Sequence, residues 1–140
     1  MRLPTRQIWR DCNPTRGLAM PSFFRPGPGT VSRMAAPDAV DLAARDAIVL
    51  IDVREMGEVT ASGKARGALH VPLASLKMKC DPSSPECLAE LKSGKPLAVY
   101  CASGGRSQMA AQMLAGFGYG EVFNIGGLGD WHAAGGAISR

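Results

Sequence analysis

Cys101 stands where an apolar run stops and a run of small residues begins, and that junction is where chemistry is first expected. Residues 97–102 read Leu-Ala-Val-Tyr-Cys-Ala, a continuous, partly β-branched segment of strand length. Ala102-Ser103-Gly104-Gly105-Arg106-Ser107 then leads into a helical pattern. The two glycines let the backbone curl until successive N–H groups point inward, and a helix starting there adds its unpaired N–H groups and positive dipole end. Such a cradle favours an anion, and the nearest one is the Cys101 thiolate itself. A fall in pKa from about 8.5 to about 6.5 raises the ionised fraction at pH 7 from about 3% to about 75%. That shift needs only about 2.7 kcal/mol, within reach of a few aimed amides and Arg106 without a histidine base. The competing reading, a small hydrophobe at a strand end, is the usual fate of a free cysteine but requires neither the Gly-Gly turn nor the arginine.

Other reactive residue types have plainer readings. His70 and His132 are the only histidines; the first is expected to be structural and the second to lie on the surface of a short helix. Asp52, Arg54 and Glu55 form a charged cluster, with Asp52 and Arg54 read as supports that hold a strand end and its loops. Lys64 and Arg66 read as solvated charges that would at most attract an anion. Cys80 and Cys87 are spaced too widely for a C-x-x-C pair, and four cysteines without matching histidines do not make a zinc site. A resolving disulfide with Cys101 is the alternative for that pair, and Cys12 suggests nothing. Trp131 and Met109 are expected in the core. There is no G-x-G-x-x-G or Walker loop, so no nucleotide or metal cofactor is expected.

The elements that must position Cys101 can be read around it. The chain has 140 residues, 46% hydrophobic and 20% charged, which suits one soluble domain with at most a tail. Its net charge of +4 resides in residues 1–27, five arginines against one aspartate, while residues 28–140 balance. That first segment, rich in Pro and Gly, reads as a disordered basic tail before a domain over 28–140. Its Arg-rich, acid-poor composition also suits a transit peptide or a start placed too far upstream, with Met20 as the alternative. A folded part without a basic face argues against nucleic acid as a partner, and no apolar run is long enough to span a bilayer. The apolar segment at 18–24 is too short and broken by Pro21 for secretion, so cytoplasmic residence is expected.

Residues 47–53 and 97–102 read as strands buried on both faces, and 68–71 and 122–125 as shorter ones. Ser83 stands in capping-box spacing before Glu86, which with Leu88, Leu91 and a terminal Gly94 predicts a helix. A second helix is predicted over 107–117 with Met109, Ala110, Met113, Leu114 and Phe117 as its buried stripe and Gly118 as its stop. Strands alternating with helices imply a mostly parallel α/β sheet whose ligands sit beyond the carboxyl ends of the strands.

The loop from Cys101 to Ser107 resembles the active-site loop of the rhodanese-like sulfurtransferase family. Leu50-Ile51-Asp52-Val53-Arg54-Glu55 is similar to that family's strand signature, and Gly67-Ala68-Leu69-His70-Val71-Pro72 to the segment that follows it. Asn124-Ile125-Gly126-Gly127 with Trp131 resembles its closing motif, so the likeness covers residues 48–135, with 30–45 left to supply an opening strand and helix. The resemblance implies a five-stranded parallel sheet flanked by helices on both faces. It implies that Cys101 accepts a sulfane sulfur from a small anionic donor such as thiosulfate, carries it as a persulfide and passes it to cyanide, a thiol or a sulfur-accepting protein. It assigns donor and persulfide binding to the loop of Ala102, Ser103, Gly104, Gly105, Arg106 and Ser107. The alternatives are a regulatory or sulfur-carrier binding module on the same fold, and a cysteine phosphatase or arsenate reductase. The latter two use five residues between Cys and Arg where this loop has four, a ring better sized for one sulfur atom than for phosphate.

Overall fold

The computed structural model describes residues 29–140; the tail expected over 1–27, with Cys12, lies outside the described residues. Five strands form one parallel sheet: β1 (Thr30–Arg33), β2 (Val49–Asp52), β4 (Leu69–His70), β5 (Leu97–Cys101) and β6 (Glu121–Gly127). Their spatial order is β1-β6-β5-β2-β4. A short antiparallel pair, β3 (Lys64–Ala65) with β7 (Ile138–Ser139), stands apart from the sheet. The helices are α1 (Ala36–Ala44), α2 (Met56–Ser62), α3 (Leu76–Cys80), α4 (Gly105–Gly116) and α5 (Leu128–Ala133). The opening strand and helix expected from residues 30–45 are therefore present as β1 and α1.

Period-two alternation explains why the central strands read as unbroken apolar runs. Leu97, Val99 and Cys101 of β5 point to one face, where α3 and α4 bring Leu76, Cys80, Ala110, Ala111 and Leu114. Ala98 and Tyr100 point to the other, among Ala39 and Leu42 of α1 and Trp131 of α5. Every residue of β5 is buried, as two covered faces require. The sheet flanked on both faces matches the expected architecture.

Two local expectations are corrected. Residues 83–94 do not form an α-helix, because Asp81 Oδ1 captures both the backbone N–H of Ser83 (2.9 Å) and its hydroxyl (2.8 Å). Ser83 is spent in that turn, Pro82 and Pro85 interrupt the segment, and only a 3₁₀ helix over Ala89–Ser93 survives. Gly94 does close it in the left-handed conformation at φ 85°. In α4, Met109 is 55% exposed rather than core, and the buried stripe is Ser107, Ala110, Ala111, Leu114 and Ala115. At about 100° per residue Met109 falls on the side of the helix opposite that stripe, so it faces away from the sheet. Trp131 is buried as expected, its indole N–H donating to the Ala137 carbonyl at 2.9 Å.

Candidate active site

Strand β5 delivers Cys101 to the carboxyl end of the sheet, and the chain must reverse there to start α4. Gly104 makes the reversal at φ 105°, a conformation that strains any residue with a Cβ. The reversal aims the Gly104 N–H at Cys101 Sγ, 2.9 Å away, while Ser107 Oγ approaches the sulfur to 3.6 Å from the first turn of α4. Burial pushes the thiol up, but the Ser107 hydroxyl and the backbone N–H groups of Ser107, Gly104 and Ser103 outweigh it and hold Cys101 below its ordinary pKa. Cys80 shows the opposite case: desolvated without such donors, its thiol is pushed up to about 12.

A polar chain continues behind the sulfur. Ser107 Oγ also donates to Asn124 Oδ1 at 2.8 Å, Asn124 Oδ1 accepts the Gly126 N–H at 2.9 Å, and Asn124 Nδ2 donates to Gln108 Oε1 at 3.0 Å. With a neutral thiol the S–H can donate to Ser107 and Ser107 to Asn124; with a thiolate the single hydroxyl proton turns to the sulfur. Asn124 is 1% exposed and thereby locks β6 to the loop. The pairing of β5 with β6 shifts by one residue between Val99 and Cys101, where Gly126 sits at φ 95°. This bulge brings Gly127 beneath the loop so tightly that a Cβ there would stand 2.2 Å from the Ala102 carbonyl oxygen.

Arg106 does not point freely at the sulfur. Its guanidinium forms a bidentate pair with Glu58 of α2, at 2.6 Å to Oε1 and 2.8 Å to Oε2. Glu58 Oε1 also accepts the Glu55 N–H at 3.0 Å, which ties the start of α2 to the same contact. The Arg106 pair and then the Glu55 N–H hold the Glu58 carboxyl at about 2 instead of the usual 4.5. Its stabilisation is therefore complete above the unfolded value and lost as the pH falls through about 2. With side chains 35% and 37% exposed, the pair contributes only about 1 kcal/mol to folding, and its main effect is on loop position.

The expected supports, Asp52 and Arg54, meet at the end of β2 but do not touch the sulfur. Arg54 Nε and Nη2 contact the Asp52 carboxylate at 3.0 and 2.8 Å, and Tyr100 donates its hydroxyl to Asp52 Oδ2 at 2.7 Å. His70 Nε2 lies 2.8 Å from the Arg54 carbonyl oxygen, a structural contact as expected, and His132 is exposed on α5. Lys64 donates to the Ala68 carbonyl at 2.9 Å. Arg66 lines a shallow cleft with Val49 and Lys95 at the amino ends of the strands, the opposite end of the sheet from Cys101. Cys80, Cys87 and Cys101 are unpaired thiols, and no group of three potential metal ligands occurs among the described residues. Glu58, Asn124 and Gly127 are the contributors that side-chain chemistry alone did not single out.

The Arg106–Glu58 fork carries a prediction. Arg106→Lys is expected to keep part of the activity at Cys101, since an ammonium can hold one carboxylate oxygen but not both. Arg106→Ala is expected to lose about tenfold or more, because it frees the loop from α2 and leaves the Glu58 carboxylate without its partner. Equal kcat/KM for all three proteins would remove Arg106 from the mechanism.

A parallel α/β sheet with a cysteine cradled by the following turn and helix defines the class: a cysteine-loop α/β domain. Within that class the chain belongs to the rhodanese-like family, since residues 35–134 match the rhodanese-like domain. It is 34% identical over 97 residues to the thiosulfate sulfurtransferase GlpE of Coxiella burnetii, covering 69% of this chain and 82% of that one. It is 38% identical over 83 residues to YqhL of Bacillus subtilis, a match spanning 59% of each protein. Among solved structures, the human single-domain sulfurtransferase TSTD1 superimposes with a TM-score of 0.61 at 27% identity, covering 72% of this chain and 95% of that one. A Rhodopseudomonas palustris protein described as a possible tyrosine phosphatase superimposes with a TM-score of 0.71 at 31% identity, covering 78% and 85%.

Proposed function

We propose that the protein is a sulfurtransferase in which Cys101 takes a sulfane sulfur from a small donor such as thiosulfate and passes it to cyanide or a thiol, including a thiol on a partner protein. The observation that carries this reading is the thiolate cradle: Cys101 Sγ accepts the Gly104 N–H at 2.9 Å with the Ser107 hydroxyl close by. In the loading step the thiolate attacks the outer sulfur of thiosulfate, the S–S bond breaks, and sulfite leaves with the bonding pair. The product is a Cys101 persulfide anion. Its terminal sulfur again faces the amides of Ser103, Gly104 and Ser107, so the same groups serve both steps. In the discharge step the acceptor attacks that terminal sulfur and the Cys101 thiolate is regenerated.

The phosphatase reading draws on the neighbour of that description, and the loop argues against it. Four residues separate Cys101 from Arg106, and the arginine that would bind a phosphoryl group is engaged by Glu58. A purely regulatory module would not need a thiol held ready for ionisation. Unpaired Cys80 and Cys87 suit a reducing compartment such as the cytoplasm, and no helix of the described residues is long and apolar enough to cross a membrane. The purified protein is expected to transfer sulfur from thiosulfate to cyanide, to gain one cyanide-removable sulfur in its intact mass, and to show negligible aryl phosphate hydrolysis. Dominant phosphate hydrolysis with no added sulfur would overturn the proposal.

A further inference from the structure

Resting on the sulfurtransferase reading, we propose that Glu58 determines donor specificity by masking the only charged side chain of the loop, so that the site favours singly charged sulfur donors over dianions. Ala102, Ser103, Gly104 and Gly105 carry no charge, which leaves Arg106 as the only loop cation that could attract a donor. Both of its terminal nitrogens are turned onto Glu58, at 2.6 and 2.8 Å. Glu55 at the start of α2 also acts on Arg106, as does the Cys101 sulfur. Counted as charges among these described groups, a thiolate, two carboxylates and one guanidinium sum to a net negative charge at the loop. Arg54 adds nothing to this balance, because Asp52 neutralises it in the interior. Among the described residues a donor therefore meets backbone amides, which hold one anionic sulfur well, while the loop's own cation is already engaged and is not free to offset a second charge.

The chemistry allows charge to be varied with the reaction type held constant. Thiosulfate, a dianion, and methanethiosulfonate, a monoanion, both give up their outer sulfur to a thiolate with cleavage of one S–S bond. The first releases sulfite and the second methanesulfinate, and both leave the same Cys101 persulfide. Their intrinsic reactivities differ, so the informative quantities are the dependence of kcat/KM on salt and the change in donor ratio on substitution.

For the unmodified protein, kcat/KM for thiosulfate is expected to rise with ionic strength as repulsion is screened, more steeply than for methanethiosulfonate. Glu58→Gln keeps an oxygen for the Glu55 N–H but leaves the Arg106 charge uncompensated. It is expected to shift the ratio of kcat/KM values toward thiosulfate by about three- to tenfold, the range for one unit charge a few ångströms away in a partly screened site, and to flatten the salt slope. A thiosulfate kcat/KM that falls with salt in the unmodified protein would overturn the inference, as would an equal change with both donors in Glu58→Gln, which would make Glu58 a positioning residue only. Intact mass separates this from failure of the underlying reading: if neither donor adds sulfur to Cys101, the sulfurtransferase reading itself falls. If both load the protein and the donor ratio does not move, only the role given to Glu58 falls.

Discussion

Cys101→Ser is expected to abolish sulfur transfer, by a thousandfold or more, and with it the added-sulfur mass after thiosulfate treatment. A serine hydroxyl is barely ionised near neutral pH and has no persulfide chemistry, whereas the fold should be nearly indifferent to one atom exchanged at a strand end. The same logic predicts how the native thiol titrates. Because the Ser107 hydroxyl and three loop amides outweigh burial and lower its pKa, the rate of alkylation at Cys101 should level off at a lower pH than for an ordinary thiol near 8.5. At pH 6.5 the reagent should therefore find Cys101 well before Cys80, which burial pushes up to about 12, and before Cys87. Peptide mapping after brief alkylation reads the selectivity directly. An alkylation midpoint at or above 8.5 would mean that burial prevails over the loop donors, and transfer by Cys101→Ser would move the nucleophile elsewhere.

What could be read from the sequence was local or periodic. The Cys101 loop is contiguous, so its curl, its anion preference and its place after a strand follow from seven adjacent residues. The buried sheet was equally legible, because strands covered on both faces leave unbroken apolar runs at 49–51 and 97–101. The partners of the loop were not. Glu58 lies 48 positions from Arg106 and Asn124 lies 17 from Ser107, and nothing in the spacing of those residues marks them as neighbours. The capping box between Glu55 and Glu58 was the one available sign that a helix with a carboxylate in its first turn follows β2. The failed helix at 83–94 and the exposed Met109 have physical causes that pattern alone hides. In the first, Asp81 competes for the donors of the expected cap residue; in the second, the stripe that faces the sheet is Ser107, Ala110, Ala111, Leu114 and Ala115, and Met109 lies on the opposite side of the helix.

Asp52→Asn and Arg54→Ala are each expected to destabilise the protein by about 3–5 kcal/mol, because either leaves one charge of a buried pair without its partner. Asp52 is 0% and Arg54 3% exposed, so water cannot replace what is lost. Against a typical total of about 5–15 kcal/mol this is a large share, and the melting temperature should fall by about 10–20 °C. The damage should also reach the loop. Arg54 Nη1 donates to Ser62 Oγ at 2.8 Å and Nη2 to the Gly63 carbonyl, so the same guanidinium that neutralises Asp52 holds the last turn of α2. The first turn of that helix carries Glu58 to Arg106. A side chain that never touches the sulfur thus fixes the helix whose carboxylate positions the cysteine loop. Replacing both members at once, Asp52→Asn with Arg54→Met, should recover part of the stability, since no charge is then stranded, yet should not restore transfer at Cys101, because the contacts to Ser62 and Gly63 remain lost. Urea midpoints and kcat/KM on the three variants test both halves: single variants within 1 kcal/mol of the parent would remove the buried pair from the stability argument, and a double variant with full activity would uncouple α2 from the loop.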